Sequence, residues 1–196
     1  MRFDLEIMQG WIDSNSHVLD LGCGDGELLY FLKHQKNVSG IGIEIDETKF
    51  NNCISRGLSV IEHNLDLGLG NFADNSFDTV VLSQTLQAVH HPEKVLAETL
   101  RVGKQCIVAF PNFGYWRCRW YLGTKGQMPV SEFMPYSWYD TPNIHFCTIR
   151  DFENLCTELN IRILDRVVTT PTARLQGLAS HWSNLFGATA IYHLSR

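Results

Sequence analysis

One stretch near the N-terminus constrains the fold more than any other, because an apolar run there ends in three closely spaced glycines. The run covers residues 18–21, is short enough for a buried strand, and carries one carboxylate, Asp20. The turn after it reads Gly22-Cys23-Gly24-Asp25-Gly26, and a helix-like segment, residues 27–33, follows. A strand, a glycine turn and a helix begin a βαβ unit, whose turn lets a ligand approach the backbone closely. The stretch therefore predicts a nucleotide-type cofactor site.

The spacing and charge of this turn indicate which cofactor it suits. A dinucleotide fingerprint reads Gly-x-Gly-x-x-Gly, whereas here the third glycine comes one residue early. The two acids, Asp20 and Asp25, suit a pyrophosphate poorly and a cationic ligand well. S-adenosylmethionine fits, because it has a sulfonium, an ammonium and an adenosine, and no phosphate. The alternative is a turn that needs glycine for steric reasons alone.

A second acid supports the cofactor interpretation through its distance from the turn. Residues 38–45 have the pattern of a second strand, and Glu44 near its end lies 22 residues after Gly22. An acid about 20 residues after the first turn glycine is where a ribose diol is bound in such folds. We therefore assign Glu44 and its neighbour Ile45 to the cofactor site. The alternative for Glu44 is an exposed acid at a strand end.

Polar residues also follow two further predicted strands. Asn64, Leu65 and Asp66 come after a short strand, residues 58–62. The Asn64 side chain could accept a hydrogen bond from an adenine amino group, and the Leu65 amide could donate to the ring. Asp66 is the competing acceptor, and an ordinary Asx turn is the alternative to both. Gln84 follows the most strand-like run of the chain, at the end where open α/β sheets bind ligands.

Composition and charge exclude several classes of function. The chain has 196 residues, a net charge of -5 and no visible basic stripe, which argues against nucleic-acid partners. It has no run of the roughly 18 apolar residues that a membrane helix needs, and its charged N-terminus is unlike a signal peptide. The six cysteines form no Cys-x-x-Cys pair and the eight histidines no His-Glu-x-x-His motif, which predicts free thiols and no metal site. We expect a cytoplasmic protein.

The order of the predicted elements indicates one α/β domain over residues 1–196. Apolar spacing predicts a first helix over residues 3–13, covering one edge of the sheet. Strands are expected at residues 17–21, 38–45, 58–62, 77–83, 104–110, 161–170 and 188–194. Helices are expected between most of them, at residues 27–33 and 47–56, from Pro92, and at residues 149–159, with a polar connection over residues 172–184. This pattern predicts a seven-stranded, mostly parallel sheet with helices on both faces.

An aromatic-rich insertion, about residues 111–146, interrupts this pattern after the fifth strand. Of the 22 aromatic residues in the chain, 11 lie between Phe110 and Phe146. Three uses compete: a packed structural insertion, a lid that forms an acceptor pocket, and a partner-binding surface. The residues that suit such a surface or lid are Tyr115, Trp116, Arg117, Arg119, Trp120, Trp138, Tyr139 and His145.

With this order of elements, the chain resembles a class I S-adenosylmethionine-dependent methyltransferase at residues 18–26, Glu44, 64–66 and 77–84. That resemblance implies a three-layer, Rossmann-like fold with strand order 3-2-1-4-5-7-6 and an antiparallel last strand. More specific blocks are similar to the MetW family of bacterial methionine biosynthesis proteins, over nearly the whole chain. They include Phe110-Pro111-Asn112-Phe113-Gly114, Trp116-Arg117-Cys118-Arg119-Trp120 and Trp138-Tyr139-Asp140-Thr141-Pro142-Asn143-Ile144-His145. Asn64 departs from the pattern, where an aspartate would be expected.

The family resemblance implies a role in methionine biosynthesis beside a MetX-type homoserine O-acyltransferase, which MetW-like proteins are thought to support by direct association. In a first hypothesis the protein is a regulatory partner: its site senses S-adenosylmethionine or S-adenosylhomocysteine, and its aromatic segment docks on the acyltransferase. In a second it is a small-molecule methyltransferase with that segment as acceptor pocket. In a third the fold binds no cofactor.

The sequence contains no evident catalytic constellation for the second hypothesis. Methyl transfer is an in-line displacement that depends on proximity and orientation, and it can proceed without a base. His145 is the best-placed histidine to serve a hydroxyl acceptor, and a histidine that anchors the lid is the alternative.

Overall fold

A computed structural model of the chain describes residues 3–131, 134–170 and 181–196. At its centre lies a seven-stranded sheet. Its strands are β1 (His17–Leu21), β2 (Ser39–Glu44), β3 (Ser59–Glu62), β4 (Phe77–Ser83), β5 (Gly103–Pro111), β6 (Arg162–Thr169) and β7 (Thr189–Ser195). Each strand begins and ends within one residue of the limits that the sequence predicts.

The strand order confirms the fold that the resemblance implies. The strands follow the order β3-β2-β1-β4-β5-β7-β6. Strands β1 to β5 pair in parallel, whereas β7 runs antiparallel to both β5 and β6. Because β1 lies between β2 and β4, the direction of the strand order reverses at β1. This is the topological switch point at which open α/β sheets bind ligands.

Helices cover both faces of the sheet, which gives the three layers. They are α1 (Phe3–Met8), α2 (Glu27–Lys36), α3 (Glu47–Ser55), α4 (Pro92–Val102), α5 (Trp116–Lys125) and α6 (Ile149–Glu158). Successive strand residues point to opposite faces. Val81 and Ile107 therefore pack in one core cluster with α1, α2 and α3, while Val80 and Val108 pack in another with α4 and α6.

Local side-chain chemistry fixes where several helices begin. Pro92 occupies the first turn of α4, where its missing N–H leaves no bond unmade. The Asp46 carboxylate caps α3 by accepting from the Lys49 amide. Thr148 and Asp151 form a reciprocal capping box at the start of α6. These residues fix where α3 begins after β2, where α4 begins after β4 and where α6 begins before β6.

The N-terminal helix differs from its prediction. It is α-helical over residues 3–8 and continues as a 3-10 turn over Gln9–Trp11. Its buried side chains, Leu5 and Met8, share a core cluster with Ile107 of β5 and Ile191 of β7. The helix thus covers a face of the sheet and not an edge. Apolar spacing reveals a buried stripe but does not reveal which part of the sheet will cover it.

The predicted connection over residues 172–184 falls largely outside the described residues. Where the description resumes, at residue 181, the first element is a short helix, Ser183–Phe186. Among the described helices, none has the length and apolar character needed to cross a membrane.

Asn112 ties the start of the aromatic insertion to the core. It is 1% exposed. Its side-chain oxygen accepts from the amides of Gly114 (2.9 Å) and Ile149 (3.3 Å). Its side-chain nitrogen donates to the carbonyls of Gly187 (2.8 Å) and Asn184 (3.2 Å). One buried amide thus joins the end of β5, the start of α6 and the residues before β7.

We predict that Asn112→Asp lowers the free energy of unfolding by about 2–4 kcal/mol, because a carboxylate cannot donate to the two carbonyls and would be buried against them. Urea denaturation would measure the change. Asn51→Asp, an exposed position on α3, is the control and should change stability by less than about 0.5 kcal/mol. An equal loss in both variants would show that the four bonds of Asn112 contribute nothing specific.

Candidate functional site

A cavity of about 1020 Å³ opens at the carboxyl ends of the central strands. Its near wall comes from the glycine turn after β1 and from the residues that end β2, β3 and β4. The predicted site residues on this wall are Gly22, Gly24, Glu44, Ile45, Asn64, Leu65, Asp66 and Gln84. The fold therefore brings eight residues from four separate stretches of the sequence to one surface, at the switch point of the sheet.

The glycine turn is held by the end of β2. The amides of Gly22 and Cys23 both donate to the Ile43 carbonyl, at 2.8 and 3.0 Å. The three glycines have φ values of 72°, 56° and 72°, in the left-handed region that favours glycine. A Cβ on Gly22 would lie 2.5 Å from the Thr85 hydroxyl oxygen, whereas a Cβ on Gly24 would meet nothing within 4 Å. Glycine at position 22 is thus a packing requirement, and glycine at position 24 leaves backbone facing open space.

Glu44 is the buried acid of the cavity wall, with 6% of its surface exposed. Its Oε2 accepts from the Gly24 amide at 2.8 Å. Its Oε1 accepts from the amides of Ile45 and Asp46, both at 2.9 Å. Three backbone donors fix the position of the carboxylate on the cavity wall. The interpretation of Glu44 as an ordinary exposed strand-end acid is therefore wrong.

The turn after β3 is an Asx turn. The Asn64 side-chain oxygen accepts from the Asp66 amide at 3.0 Å, and residues 65–67 form a 3-10 turn. The Asp66 carboxylate is engaged by His90, through the backbone amide at 2.8 Å and ring Nδ1 at 2.7 Å. Partial burial alone would raise the pKa of Asp66, but the hydrogen bonds from His90 outweigh it and lower the pKa. His90 thus engages both oxygens of Asp66 and the Asp66 amide engages the Asn64 oxygen, while each of these oxygens keeps a second lone pair with which it could accept from an adenine.

Three predicted site residues, Asp20, Cys23 and Gly26, lie behind the cavity wall. Asp20 is 2% exposed within β1. The Cys23 thiol packs 3.9 Å from that of Cys53, and burial, with the nearby Asp20 and Cys53, raises its pKa. Gly26 lies where a Cβ would be 2.3 Å from Leu58. These residues shape the turn, and a buried, protonated thiol is unreactive.

The far wall of the cavity comes partly from the aromatic insertion, for which a lid over the site was one of the predicted uses, and partly from threonines that the sequence did not reveal. It includes Pro135, Tyr136, Pro142, Asn143, Thr169, Thr170 and Thr189. Thr85 and Gln87 after β4 also line the cavity, although Gln84 alone of this stretch was assigned to the site. Thr85 Oγ1 donates to the Leu21 carbonyl at 2.8 Å and so joins the ends of β4 and β1. For Thr85 and Gln87 a signal was present, since both follow directly after a strand whose carboxyl end was predicted to bind ligand.

The histidines of the site are engaged in local contacts. A ring nitrogen of His63 lies 2.8 Å from the Gly68 carbonyl, and His90 is bound to Asp66. The His145 side chain is exposed and lies outside the cavity lining. Its backbone amide donates to the Gln87 carbonyl at 3.0 Å, so it anchors the segment through its main chain. Within the described ranges, no cluster of three or more His, Cys, Asp or Glu residues could hold a metal ion.

Part of the predicted aromatic surface is packed against the rest of the protein. Tyr115 is 3% exposed, and Trp116 packs against the small cluster to which Tyr115 belongs. The Arg117 guanidinium lies 5.6 Å from the centre of the Trp116 ring. Arg119 donates to the Gly114 carbonyl and so holds α5 to the start of the insertion. Tyr115, Trp116 and Arg119 thus hold the insertion in place, whereas Arg117 is exposed.

The remaining residues of the predicted surface are exposed. Trp120 is 68% exposed, and Trp138 and Tyr139 are each 74% exposed, with their rings 5.7 Å apart in an edge-to-face pair. Of the seventeen large apolar side chains that are exposed in the described part of the chain, eight lie in residues 111–146. Such a concentration of exposed apolar surface marks an interaction site. Composition alone cannot separate the packed aromatics of this insertion from the exposed ones.

Solved structures with the same fold define the class. An S-adenosylmethionine-dependent methyltransferase of Thermotoga maritima, described as a possible histamine N-methyltransferase, is 20% identical with a TM-score of 0.70, covering 98% of this chain and 86% of that one. A second such methyltransferase, from Archaeoglobus fulgidus, is 15% identical with a TM-score of 0.72, covering 98% and 91%. The chain therefore has the α/β, Rossmann-like fold of class I S-adenosylmethionine-dependent methyltransferases.

The family is defined by sequence. The family described as "Methionine biosynthesis protein MetW" matches residues 2–194. A "Bifunctional methionine biosynthesis protein MetXA/MetW" of Rhodopirellula baltica is 37% identical over an alignment of 177 residues that covers 85% of this chain. The chain belongs to the MetW family of methionine biosynthesis proteins. It spans 28% of the length of the Rhodopirellula baltica protein.

We predict that Glu44→Gln lowers the free energy of unfolding by about 1–3 kcal/mol, because an amide has one acceptor oxygen where the carboxylate uses two, which leaves a buried N–H unpaired. Chemical denaturation would measure the change. Glu62→Gln is the matched control, since Glu62 is the register partner of Glu44 on β3 and is exposed. A similar loss in both variants would contradict the role given to the three amide donors.

Proposed function

We propose that the cavity binds S-adenosylmethionine or S-adenosylhomocysteine. The proposal rests on the Glu44 carboxylate, which accepts hydrogen bonds from three backbone amides on the cavity wall. Beside it, the missing side chain of Gly24 leaves open space in front of the turn. Two carboxylate oxygens fixed in this way suit the two hydroxyls of a ribose. The site thus fits an adenosine without phosphates.

The remaining groups of the cofactor have candidate partners on the same wall. Asn64 and Leu65 would contact the adenine, with Ile45 beside it as exposed apolar surface. The methionine end would lie along Gly22 and Gly24, near Gln84. The buried Asp20 behind the turn adds negative potential that favours a sulfonium and an ammonium. When bound, S-adenosylmethionine supplies an electrophilic methyl group.

We further propose that the protein associates with a MetX-type homoserine O-acyltransferase and supports its activity in methionine biosynthesis. The support is the name of the Rhodopirellula baltica relative, which joins MetXA and MetW in one chain. The surface that suits such a partner is the exposed part of the insertion, with Trp120, Trp138 and Tyr139. Exposed Trp and Tyr are the residues most enriched among the energetic centres of interfaces.

A small-molecule methyltransferase is the second candidate, and one observation favours it. The cavity extends past the residues assigned to the cofactor to the far wall at Tyr136, Asn143 and Thr189. This wall offers hydroxyl and amide groups that a small acceptor could contact. Conversion of the cofactor to S-adenosylhomocysteine in the presence of an acceptor would distinguish this function from a purely regulatory one.

Gly24→Ala tests the cofactor proposal. The new Cβ would occupy the open space in front of the turn, so we expect S-adenosylmethionine to bind at least about tenfold more weakly in calorimetric titration. Gly57→Ala is the control, because Gly57 also has positive φ (69°) with nothing within 4 Å of a Cβ, and it lies away from the cavity. Both variants carry a similar backbone strain of about 1–2 kcal/mol. Equal affinity in both would contradict the proposal.

Trp138→Ala and Trp120→Ala test the docking surface. We expect each to weaken the complex with the acyltransferase of the same organism by about tenfold or more, since truncated aromatic anchors cost about 2 kcal/mol. Trp116→Ala is less informative because it would disturb packing as well. Tyr30→Ala, an exposed aromatic on α2, is the control and should leave the affinity unchanged. Unaltered binding in both tryptophan variants would count against this surface.

A further inference from the structure

One short segment serves both the cavity and the exposed aromatic surface. We call residues 134–145 the strap. Residues 135–136 and 142–143 line the cavity, while Trp138 and Tyr139 between them point into solvent. A change in the position of the strap would therefore alter the cavity wall and the docking surface together.

Within the described residues, the strap is attached mainly at its two ends, and Met134 at the first end is buried in the cluster of Tyr115 and Ala188. The amides of Ile144 and His145 both donate to the Gln87 carbonyl, at 2.9 and 3.0 Å. At the other end, Met134 and Ser131 exchange backbone bonds of 2.9 and 3.1 Å. Between these points the backbone bond in the described residues is a local turn, from the Asp140 amide to Ser137 at 3.1 Å. The part between these ends can be displaced more easily than the ends, and the attachment at Gln87 fixes where the second end lies.

Gln87 also holds the cavity wall. Its side-chain nitrogen donates to the Gln84 carbonyl at 2.9 Å, and Gln84 lines the cavity with a φ of 60°, which is unusual for a residue other than glycine. Gln87 is 5% exposed, and its Oε1 is buried without a hydrogen-bond partner among the described residues. A strained backbone and an unsatisfied buried acceptor in one turn favour a second arrangement of that turn.

We propose that Gln87 couples the two sites: a ligand in the cavity stabilises the strap, and the acyltransferase then binds the ordered strap more tightly. This inference rests on the proposed function. The coupling is positive, because the ligand that binds first removes the conformational freedom that the second would otherwise have to remove. By reciprocity, the partner raises the affinity for S-adenosylmethionine by the same factor.

Hydrogen exchange of the whole chain, with and without saturating S-adenosylmethionine, tests the first half of this coupling. We expect exchange at the amides of Ile144 and His145 to slow by about tenfold or more when the cofactor binds. Calorimetry in the same buffer establishes binding independently. Binding without any change in exchange over the strap would overturn the coupling and leave the cofactor proposal standing, whereas no heat of binding would remove both.

The affinity of the acyltransferase, measured with and without S-adenosylmethionine, tests the second half. We expect the cofactor to tighten the complex by about fivefold or more. Gln87→Ala keeps the main-chain carbonyl that holds the strap but removes the side chain that holds the Gln84 carbonyl of the cavity wall. At saturating cofactor, both the slowed exchange and the tighter complex should therefore be largely lost in this variant. Gln127→Ala, an exposed glutamine outside the strap, should retain both. A complex that forms equally well with and without the cofactor in the unmodified protein would overturn the inference, whatever the stability of the Gln87 variant.

Discussion

The candidate site depends on the hydrogen bonds that hold the first glycine turn to the end of β2. The Ile43 carbonyl accepts from Gly22 and Cys23, and the next residue, Glu44, accepts from Gly24 through its side chain. These bonds lie at the switch point of the sheet. They place the amides of the turn beside the Glu44 carboxylate and beside the open space in front of Gly24. They extend the pairing of β1 with β2 into the turn. Glu44 is thus a structural residue of the turn and the proposed ribose contact at once.

The far wall exists because β7 is inserted antiparallel between β5 and β6. Pro111 at the end of β5 pairs with Thr189, which also pairs with Thr169 at the end of β6. The aromatic insertion leaves from this same place, anchored by Asn112, and returns across Gln87. The strand order thus explains why one insertion both closes a cavity and displays aromatic side chains beside it. When a small molecule and a partner protein bind through the same segment, binding of one can change the affinity for the other.

The sequence predicted the features that depend on short-range pattern. The glycine turn, the spacing to Glu44 and the strand limits each follow from residues within one βα unit. The threonines of the far wall did not follow, because Thr169 and Thr189 come together only through the pairing of β6 with β7, which local pattern does not reveal. Local pattern likewise could not separate Tyr115, which is buried, from Trp138, which is exposed, since both are aromatic residues in one irregular segment. For α1, the pattern predicted a buried stripe but the wrong part of the sheet.

The most direct test of the account is to mix this protein with the homoserine O-acyltransferase of its own organism, separate the mixture by size-exclusion chromatography, and assay acyl transfer with and without S-adenosylmethionine. The account predicts co-elution and a raised rate of acyl transfer that depends on the cofactor. Separate elution with an unchanged rate of acyl transfer at every cofactor concentration would contradict it. The cavity would then be tested as the site of a methyltransferase, and its acceptor would be sought.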